Sequence, residues 1–318
     1  MSVETEVVRS LETGTGKYGQ LLERCKELEP VATAVAHPCD ASALCGAVEA
    51  AEHGLIVPIL VGPSAKIAAA AKAAGIDLSK FRIIDAPHSH SSAAKAVELI
   101  REGSAQVLMK GSLHTDELMS AIVARDGGLR TGRRISHAFI MDVPTYHKAL
   151  IVTDGAINIA PVLEDKVDIC QNAIDLAIAL GCGSPKVAIL AAVETVTSKM
   201  PATIDAAALC KMAERGQITR GILDGPLAFD NAISKQAAIT KGIHSDVAGD
   251  PDILLAPDLE AGNILAKQLS FLAKADSAGM VLGARVPVIL TSRADSVRSR
   301  IASCAVAMLV THARRMGR

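Results

Sequence analysis

Aromatic side chains are nearly absent: the 318 residues hold two Tyr, four Phe and no Trp. Half of the chain is nevertheless apolar. Its cores must therefore be packed from Ala, Val, Ile and Leu, which suits helices layered on sheets. Excess charge of one sign is also missing, the net charge being -1. That argues against nucleic-acid binding through bulk charge, so an anionic ligand must be met by local cations. Apolar runs break well before the length of a membrane span, and none is expected. The opening "MSVETEVVRSLETG" is polar and acidic without an apolar stretch, which speaks against a signal peptide. The seven cysteines, Cys25, Cys39, Cys45, Cys170, Cys182, Cys210 and Cys304, form no C-x-x-C pair. They read as reduced thiols of a cytoplasmic protein rather than a disulfide or zinc framework.

What is present is a rhythm. Short β-branched runs lie at 31–36, 55–61, 81–84, 106–110, 138–143, 149–154, 186–190, 219–223, 252–256, 279–283 and 287–290. Ala-rich helical patterns at 41–53, 63–74, 91–102, 115–124, 165–180, 203–215, 260–273 and 295–312 separate most of them. Such alternation predicts an α/β fold with mainly parallel sheets buried on both faces. The length exceeds one average domain, so two domains are expected. The stretch 124–147, "ARDGGLRTGRRISHAFIMDVPTYH", breaks the rhythm. A Gly/Arg loop leads to a strand and then to another strand with no helix between. It reads as a crossing from one domain to the next.

Three patterns imitate sites. "GTGKYG" at 14–19 matches the dinucleotide fingerprint in letters, but "RSLET" before it is no strand, and a turn is the better reading. His88 and His90 in "PHSHS" lack nearby partners to complete a metal set. They read as a helix-starting loop with Ser91 as its cap. Asp246, Asp250 and Asp252 are most simply a solvated turn.

In parallel sheets, ligands gather at the carboxyl ends of strands. The polar residues there are Lys110, Gly111 and Ser112; Asp154, Gly155 and Asn158; Glu194 and Thr195; Asp224 and Gly225; Asp258, Glu260, Gly262 and Asn263; and Ser292 with Arg293. Thr115 opens the helical pattern after the first of these groups. Helix capping accounts for several, including Thr291 and Asp295 ahead of the last helix. It does not account for Arg293, since a cation at a helix start opposes the helix dipole. An anion held there resolves the conflict. Arg133 and Arg134, in "LRTGRR" just before Ser136, form a second group suited to a phosphoryl ligand, because Arg captures phosphate in bidentate fashion.

Several stretches carry a resemblance to a known family. They are "LMKGSLHTDELMSAIV", "GLRTGRRISHAFIMDVPTYHKALIVTDGAINIAP", "GILDGPLAFDNAIS", "ILLAPDLEAGNILAKQL" and "GARVPVILTSRADS". From about Ala43 onward the chain is similar to the phosphate acetyltransferase/phosphate butyryltransferase family. Its short length and "HKALIVTDGAINIAP" resemble the butyryl branch. The resemblance implies two α/β/α domains enclosing a cleft, like the isocitrate dehydrogenase superfamily. The first domain would be 1–145 plus 284–318, and the second, 146–283, would carry a homodimer contact. It further implies transfer of a short acyl group between coenzyme A and orthophosphate as substrates, with no bound cofactor or metal.

By resemblance, Arg293 and Arg134 fall on arginines that bind phosphate or CoA. Ser292 falls on the Ser that hydrogen-bonds the reacting carbonyl or thiol. Asp295 completes the catalytic candidates. Arg133, Ser136, Lys110, Thr115, Asp154, Asn158, Glu260 and Asn263 join Arg134 as candidates for phosphate or CoA binding. Two departures stand out. The acid that the acetyl branch places six residues past the motif arginine is Ser299 here, and its cysteine is Gly155. Two other functions fit the same features: a non-catalytic acyl-CoA or acyl-phosphate binding protein, and an NAD(P)-dependent 2-hydroxy-acid dehydrogenase of the same fold. The second needs a carboxylate cluster and a nucleotide loop, and the sequence displays neither.

Overall fold

The computed structural model describes residues 16–291 and 296–317. The chain divides into two compact units. The described residues of Met1–Arg133 and Ala278–Gly317 form unit 1, and Arg134–Ser277 form unit 2.

Unit 1 opens with α1 (Lys17–Cys25), β1 (Val31–Ala36), α2 (Ala41–Glu52), β2 (Ile56–Gly62) and α3 (Ser64–Ala74). It continues through β3 (Arg82–Asp85), α4 (Ser89–Arg101), β4 (Val107–Lys110) and α5 (Thr115–Val123). Unit 2 contains β5 (Ser136–Asp142), β6 (Leu150–Thr153), α6 (Leu163–Ala179), β7 (Lys186–Leu190) and α7 (Pro201–Glu214). It then runs through β8 (Ile222–Leu227), α8 (Phe229–Ile233), α9 (Lys235–Thr240), β9 (Ile253–Leu255) and α10 (Leu259–Phe271). The chain returns to unit 1 along β10 (Asp276–Leu282), followed by β11 (Val288–Ile289) and α11 (Val297–Arg315).

In unit 1 the strand order is β3-β2-β1-β4-β11-β10. All neighbours are parallel except β10 with β11. In unit 2 the order is β5-β6-β9-β7-β8, with only β5 and β6 antiparallel. The fold is α/β. The central strands are buried along nearly their whole length, as in "VLMK" of β4 and "LIVT" of β6, which is why they read as continuous apolar runs. Helix α11 is buried from Ser299 to Thr311 and packs on β4, β11, α1 and α2. Its small residues, such as Ala302, Ser303 and Ala305, let it lie close to those neighbours.

All eleven expected strands and all eight expected helices are present. Three short helices, α1, α8 and α9, were not expected. Lys17, Tyr18 and Gly19 of the "GTGKYG" stretch lie in α1 rather than in a turn. The contact division between the units precedes β5, whereas the expectation from sequence placed the crossing near 145. The antiparallel pairing of β5 with β6, Ala138 opposite Thr153, is what groups β5 with unit 2.

Local caps also differ from expectation. Helix α4 starts at Ser89, so its cap is His88, whose Nδ1 accepts from Ser91 N at 3.2 Å. Helix α11 starts at Val297 with Ser296 as cap, its Oγ accepting from Ser299 N at 3.1 Å. Asp250 and Asp252 are no solvated turn: Lys148 Nζ lies 3.0 and 2.8 Å from their carboxylates, and Lys186 Nζ lies 3.0 Å from Asp250.

Candidate active site

At the carboxyl end of β6 the chain turns sharply on Asp154. Asp154 Oδ1 accepts from the backbone N–H groups of Ala156 (2.8 Å) and Ile157 (3.0 Å), the local turn that a short acidic side chain favours. Asp154 Oδ2 accepts from His137 N (3.2 Å), Asn158 N (3.3 Å) and Asn158 Nδ2 (2.5 Å). The carboxylate is buried, and burying an ion is costly unless hydrogen bonds replace its water. Five donors do so here. The turn is packed tightly: a Cβ on Gly155 would lie 2.6 Å from the Phe139 ring, and one on Gly262 would lie 2.2 Å from the Asp154 carbonyl oxygen. Only glycine allows α10 to come this close. Asn263 Nδ2, on that helix, donates to Gly155 O at 2.8 Å, and Asp258 caps its start by accepting from Ala261 N.

Asn158 hands this arrangement on to Arg134. Arg134 Nε donates to Asn158 Oδ1 at 2.8 Å, while Nη1 lies 3.1 Å from Asp165 Oδ1. The backbone is fixed as well, with Arg134 N donating to Asp168 Oδ2 at 2.7 Å. The arginine side chain is 52% exposed, so an oriented guanidinium faces solvent. Ser136 is fully buried and accepts from Asn172 Nδ2, which also donates to Arg134 O. Beneath lies His137, wholly buried, its ring edge-on to Phe139 at 4.4 Å. Among the described residues its Nδ1 has no hydrogen-bond partner. Burial pushes its pKa down to about 4 against the opposing pull of Asp154, so the ring is neutral near pH 7 and adds no charge.

Unit 1 presents a second polar feature at the carboxyl ends of β4 and β11. A small pocket is lined by Asp40, Lys110, Thr291 and Arg300, among others. Lys110 ends β4 and is 6% exposed. It is followed by Gly111, where a Cβ would lie 2.4 Å from Ala36 O. The next residue, Ser112, donates through N and Oγ to His37 O. The loop after β4 is thus laced to the end of β1. Thr291 directly precedes residues 292–295 in the chain.

The candidates from sequence therefore separate. Arg134, Ser136, Asp154, Asn158 and Asn263 are brought together in unit 2. Glu260 sits exposed in the first turn of α10. In unit 1, Lys110 lines the pocket, whereas Thr115 is exposed at the start of α5 and Arg133 is exposed with its N–H donating to Thr131 Oγ1. Ser292, Arg293 and Asp295 lie outside the described residues. Ser299, at the position of the missing acid, is buried, and its N–H and Oγ both lie 3.1 Å from the cap Ser296 Oγ. Sequence reasoning missed Arg300, Asp40, His137, Asp165 and Asp168. Arg300 carried no distinct signal, being one of several arginines near the start of the last helix.

Residues 89–308 match the family described as phosphate acetyl/butaryl transferase. The chain is 64% identical over 299 residues to a phosphate acetyltransferase of Rhizobium meliloti, covering 94% of this chain and 95% of that one. It is 40% identical over 287 residues to a phosphate butyryltransferase of Clostridium acetobutylicum, covering 90% and 95%. The crystal structure of a branched-chain phosphotransacylase from Enterococcus faecalis is 28% identical with a TM-score of 0.78, covering 89% of this chain and 99% of that one. Family match and relatives together span nearly the whole sequence, and the chain belongs to the phosphate acetyl/butaryl transferase family.

Proposed function

We propose that this protein transfers a short acyl group between coenzyme A and orthophosphate, acyl-CoA + phosphate ⇌ acyl phosphate + CoA. The observation that carries this reading is the 64% identity, along 94% of the chain, to a protein named phosphate acetyltransferase. The sequence features that resemble the butyryl branch and this identity point to different ends of one chain-length range. Identity along the whole chain has the greater weight, and acetyl is the acyl group we assign. Neither a dehydrogenase nor a binding-only protein draws support from these relatives.

In the reaction a phosphate oxygen attacks the thioester carbonyl carbon. A C–O bond forms, the carbonyl oxygen becomes an oxyanion, and the C–S bond then breaks. CoA leaves as a thiolate and takes up the proton that hydrogen phosphate gives up. Two anionic reactants repel, so cations must hold them together. Arg293 and Arg134 are assigned that role, and Ser292 is assigned as donor to the carbonyl or thiol. Asp295, Arg133, Ser136, Thr115, Glu260 and Asn263 are assigned supporting contacts. Asp154 and Asn158 act through Arg134 as positioning residues. No bound cofactor or metal is needed for this sequence of steps.

The two units are assigned as the two domains of the enzyme, which works in the cytoplasm as a homodimer. Among the described residues no helix is long and apolar enough to cross a membrane. Ile264 and Phe271 share one face of α10, with Leu272 next to them, and are 56, 78 and 81% exposed. This apolar face of unit 2 supports contact with a second copy, and Phe271→Glu tests it by its sedimentation. The site assignment is tested by Arg293→Ala, which abolishes phosphate-dependent CoA release while the protein stays folded; normal activity in that variant contradicts it.

A further inference from the structure

Strand β1 leads into a histidine whose backbone conformation few non-glycine residues adopt. His37 has a φ of 57°, in the left-handed region. Its neighbours hold it there. Its N–H donates to Val61 O at 2.7 Å, and its carbonyl oxygen accepts from Cys39 N at 2.9 Å, Ser112 N at 2.9 Å and Ser112 Oγ at 2.8 Å. A Cβ on Gly111 would lie 2.6 Å from that same oxygen, so only glycine lets the loop after β4 close on His37. A backbone outlier fixed by this many contacts is of the kind that functional sites carry.

The imidazole is held as firmly, and its tautomer follows from the hydrogen bonds. Nδ1 lies 3.1 Å from Ser92 Oγ. Ser92 is fully buried, and its hydroxyl donates to His88 O at 2.8 Å. A hydroxyl has one proton to donate, so Ser92 Oγ receives the Nδ1 proton instead of supplying one. The neutral ring then carries its lone pair on Nε2. Among the described residues no hydrogen bond reaches Nε2, and His37 is half-buried. Burial, chiefly, lowers its pKa. Lys66 of α3 and His88 at the start of α4 push the same way, while Glu117 of α5 and Asp40 at the start of α2 oppose them.

The position suits chemistry as well. The strand order of unit 1 reverses between β1 and β4, where open α/β sheets bind ligands. Strand β4 pairs with β1 on one side and β11 on the other. His37, Lys110 and Thr291 thus mark three adjacent strand ends, spaced about 5 Å from one to the next. Thr291 directly precedes Ser292 and Arg293.

We propose that His37 is the general base of acyl transfer, the role left open by Ser299 at the position of the acetyl-branch acid. This rests on the acyl-transfer reading above. As a phosphate oxygen attacks the thioester carbon, Nε2 takes the proton of hydrogen phosphate. The C–O bond forms, the C–S bond breaks, and the imidazolium gives the proton to the CoA sulfur. In reverse, Nε2 takes the thiol proton as sulfur attacks the acyl phosphate carbon, and the proton leaves on phosphate. The neutral imidazole is restored in both directions.

The test uses the full-length protein and two variants that both suit the left-handed backbone. In His37→Asn the side-chain amide replaces Nδ1–H as donor to Ser92, and asparagine tolerates the positive φ, but no base remains. Its kcat falls about 10²- to 10⁴-fold, while the KM values for acetyl-CoA and phosphate stay within about twofold, as when only the transition state loses an interaction. His37→Gly frees space at the same backbone, and added imidazole restores its turnover. Packing loss alone would not be relieved in that way. In wild type, kcat is fully present above the ordinary imidazole value of about 6.5 and declines as the pH falls through the lowered value of His37. His37→Asn lacks this acid limb. If one variant does not fold, the other carries the test.

Turnover of a folded variant within about threefold of wild type overturns the base assignment and leaves the acyl-transfer reading standing. A large loss in His37→Gly that imidazole does not relieve, or an acid limb that persists in His37→Asn, does the same. Absence of phosphate-dependent turnover in wild type overturns the reading and the proposal with it.

Discussion

Arg134 and Asn158 meet through a single hydrogen bond, Nε to Oδ1 at 2.8 Å, and the same asparagine donates to Asp154 Oδ2 at 2.5 Å. A buried carboxylate thereby fixes the direction of a half-exposed arginine. Asn158→Ala leaves Arg134 in place, with Asp165 still on Nη1, but removes the hydrogen bond that orients Nε. Acyl transfer falls about 10-fold or more, as expected when a charged group loses a positioning hydrogen bond. Stability falls by about 1–3 kcal/mol because Asp154 loses a donor in a buried site. Steady-state kinetics and urea unfolding of the same preparation separate the two effects. Lost stability with full activity contradicts a positioning role.

Gly262→Ala probes the close approach of α10 to the Asp154 turn. The new methyl would lie 2.2 Å from a backbone oxygen, which cannot move aside as a flexible side-chain end could. A loss of about 1–3 kcal/mol is expected from such overpacking. Gly183→Ala provides a control on space alone, since no atom lies within 4 Å of its Cβ position and its backbone is not in the left-handed region. Denaturation midpoints of both variants check this, and equal effects would contradict the packing account.

Acid sensitivity follows from His137. Its native pKa, about 4 through burial, lies below the unfolded value near 6.5. Between those values the unfolded chain binds a proton that the native protein does not. Stability is therefore fully present above pH 6.5 and declines as the pH falls toward 4, at up to about 1.4 kcal/mol per pH unit from this group. His137→Phe, which keeps a ring against Phe139, flattens that part of the stability profile. An unchanged slope in the variant would assign the acid loss to other groups.

The thiols are muted. Burial raises Cys25 and Cys39 to about 11, and Cys210 and Cys304 to about 12, and it moves Cys45, Cys170 and Cys182 upward as well. Thiolate is the reactive form, so a thiol reagent labels the native protein slowly and all seven cysteines only after unfolding. Fast labelling of several native thiols would contradict this.

Much of this was legible in sequence because a strand buried on both faces cannot be polar. "VLMK", "LIVT" and "KVAIL" could be placed with their ends nearly correct; Lys110 closes the first and Asp154 directly follows the second, both at strand carboxyl ends. Asp224 and Gly225 do not, since β8 runs on to Leu227 through two residues that sequence patterns assign to turns. What could not be read was long-range pairing. Nothing in the spacing of Arg134 announces that Asp165 and Asp168, on a helix beyond two strands, hold its side chain and backbone. Arg300 was hidden in another way. In sequence it is one of several arginines near a helix start, and only the packing of α11 against α2 makes it buried.

The most direct measurement is the release of CoA thiol from acetyl-, propionyl- and butyryl-CoA, followed with a thiol reagent, with and without phosphate. The muted protein thiols keep the background low. Release that requires phosphate, and is fastest with acetyl-CoA, is the predicted result. No phosphate-dependent release from any of the three would contradict the proposed function.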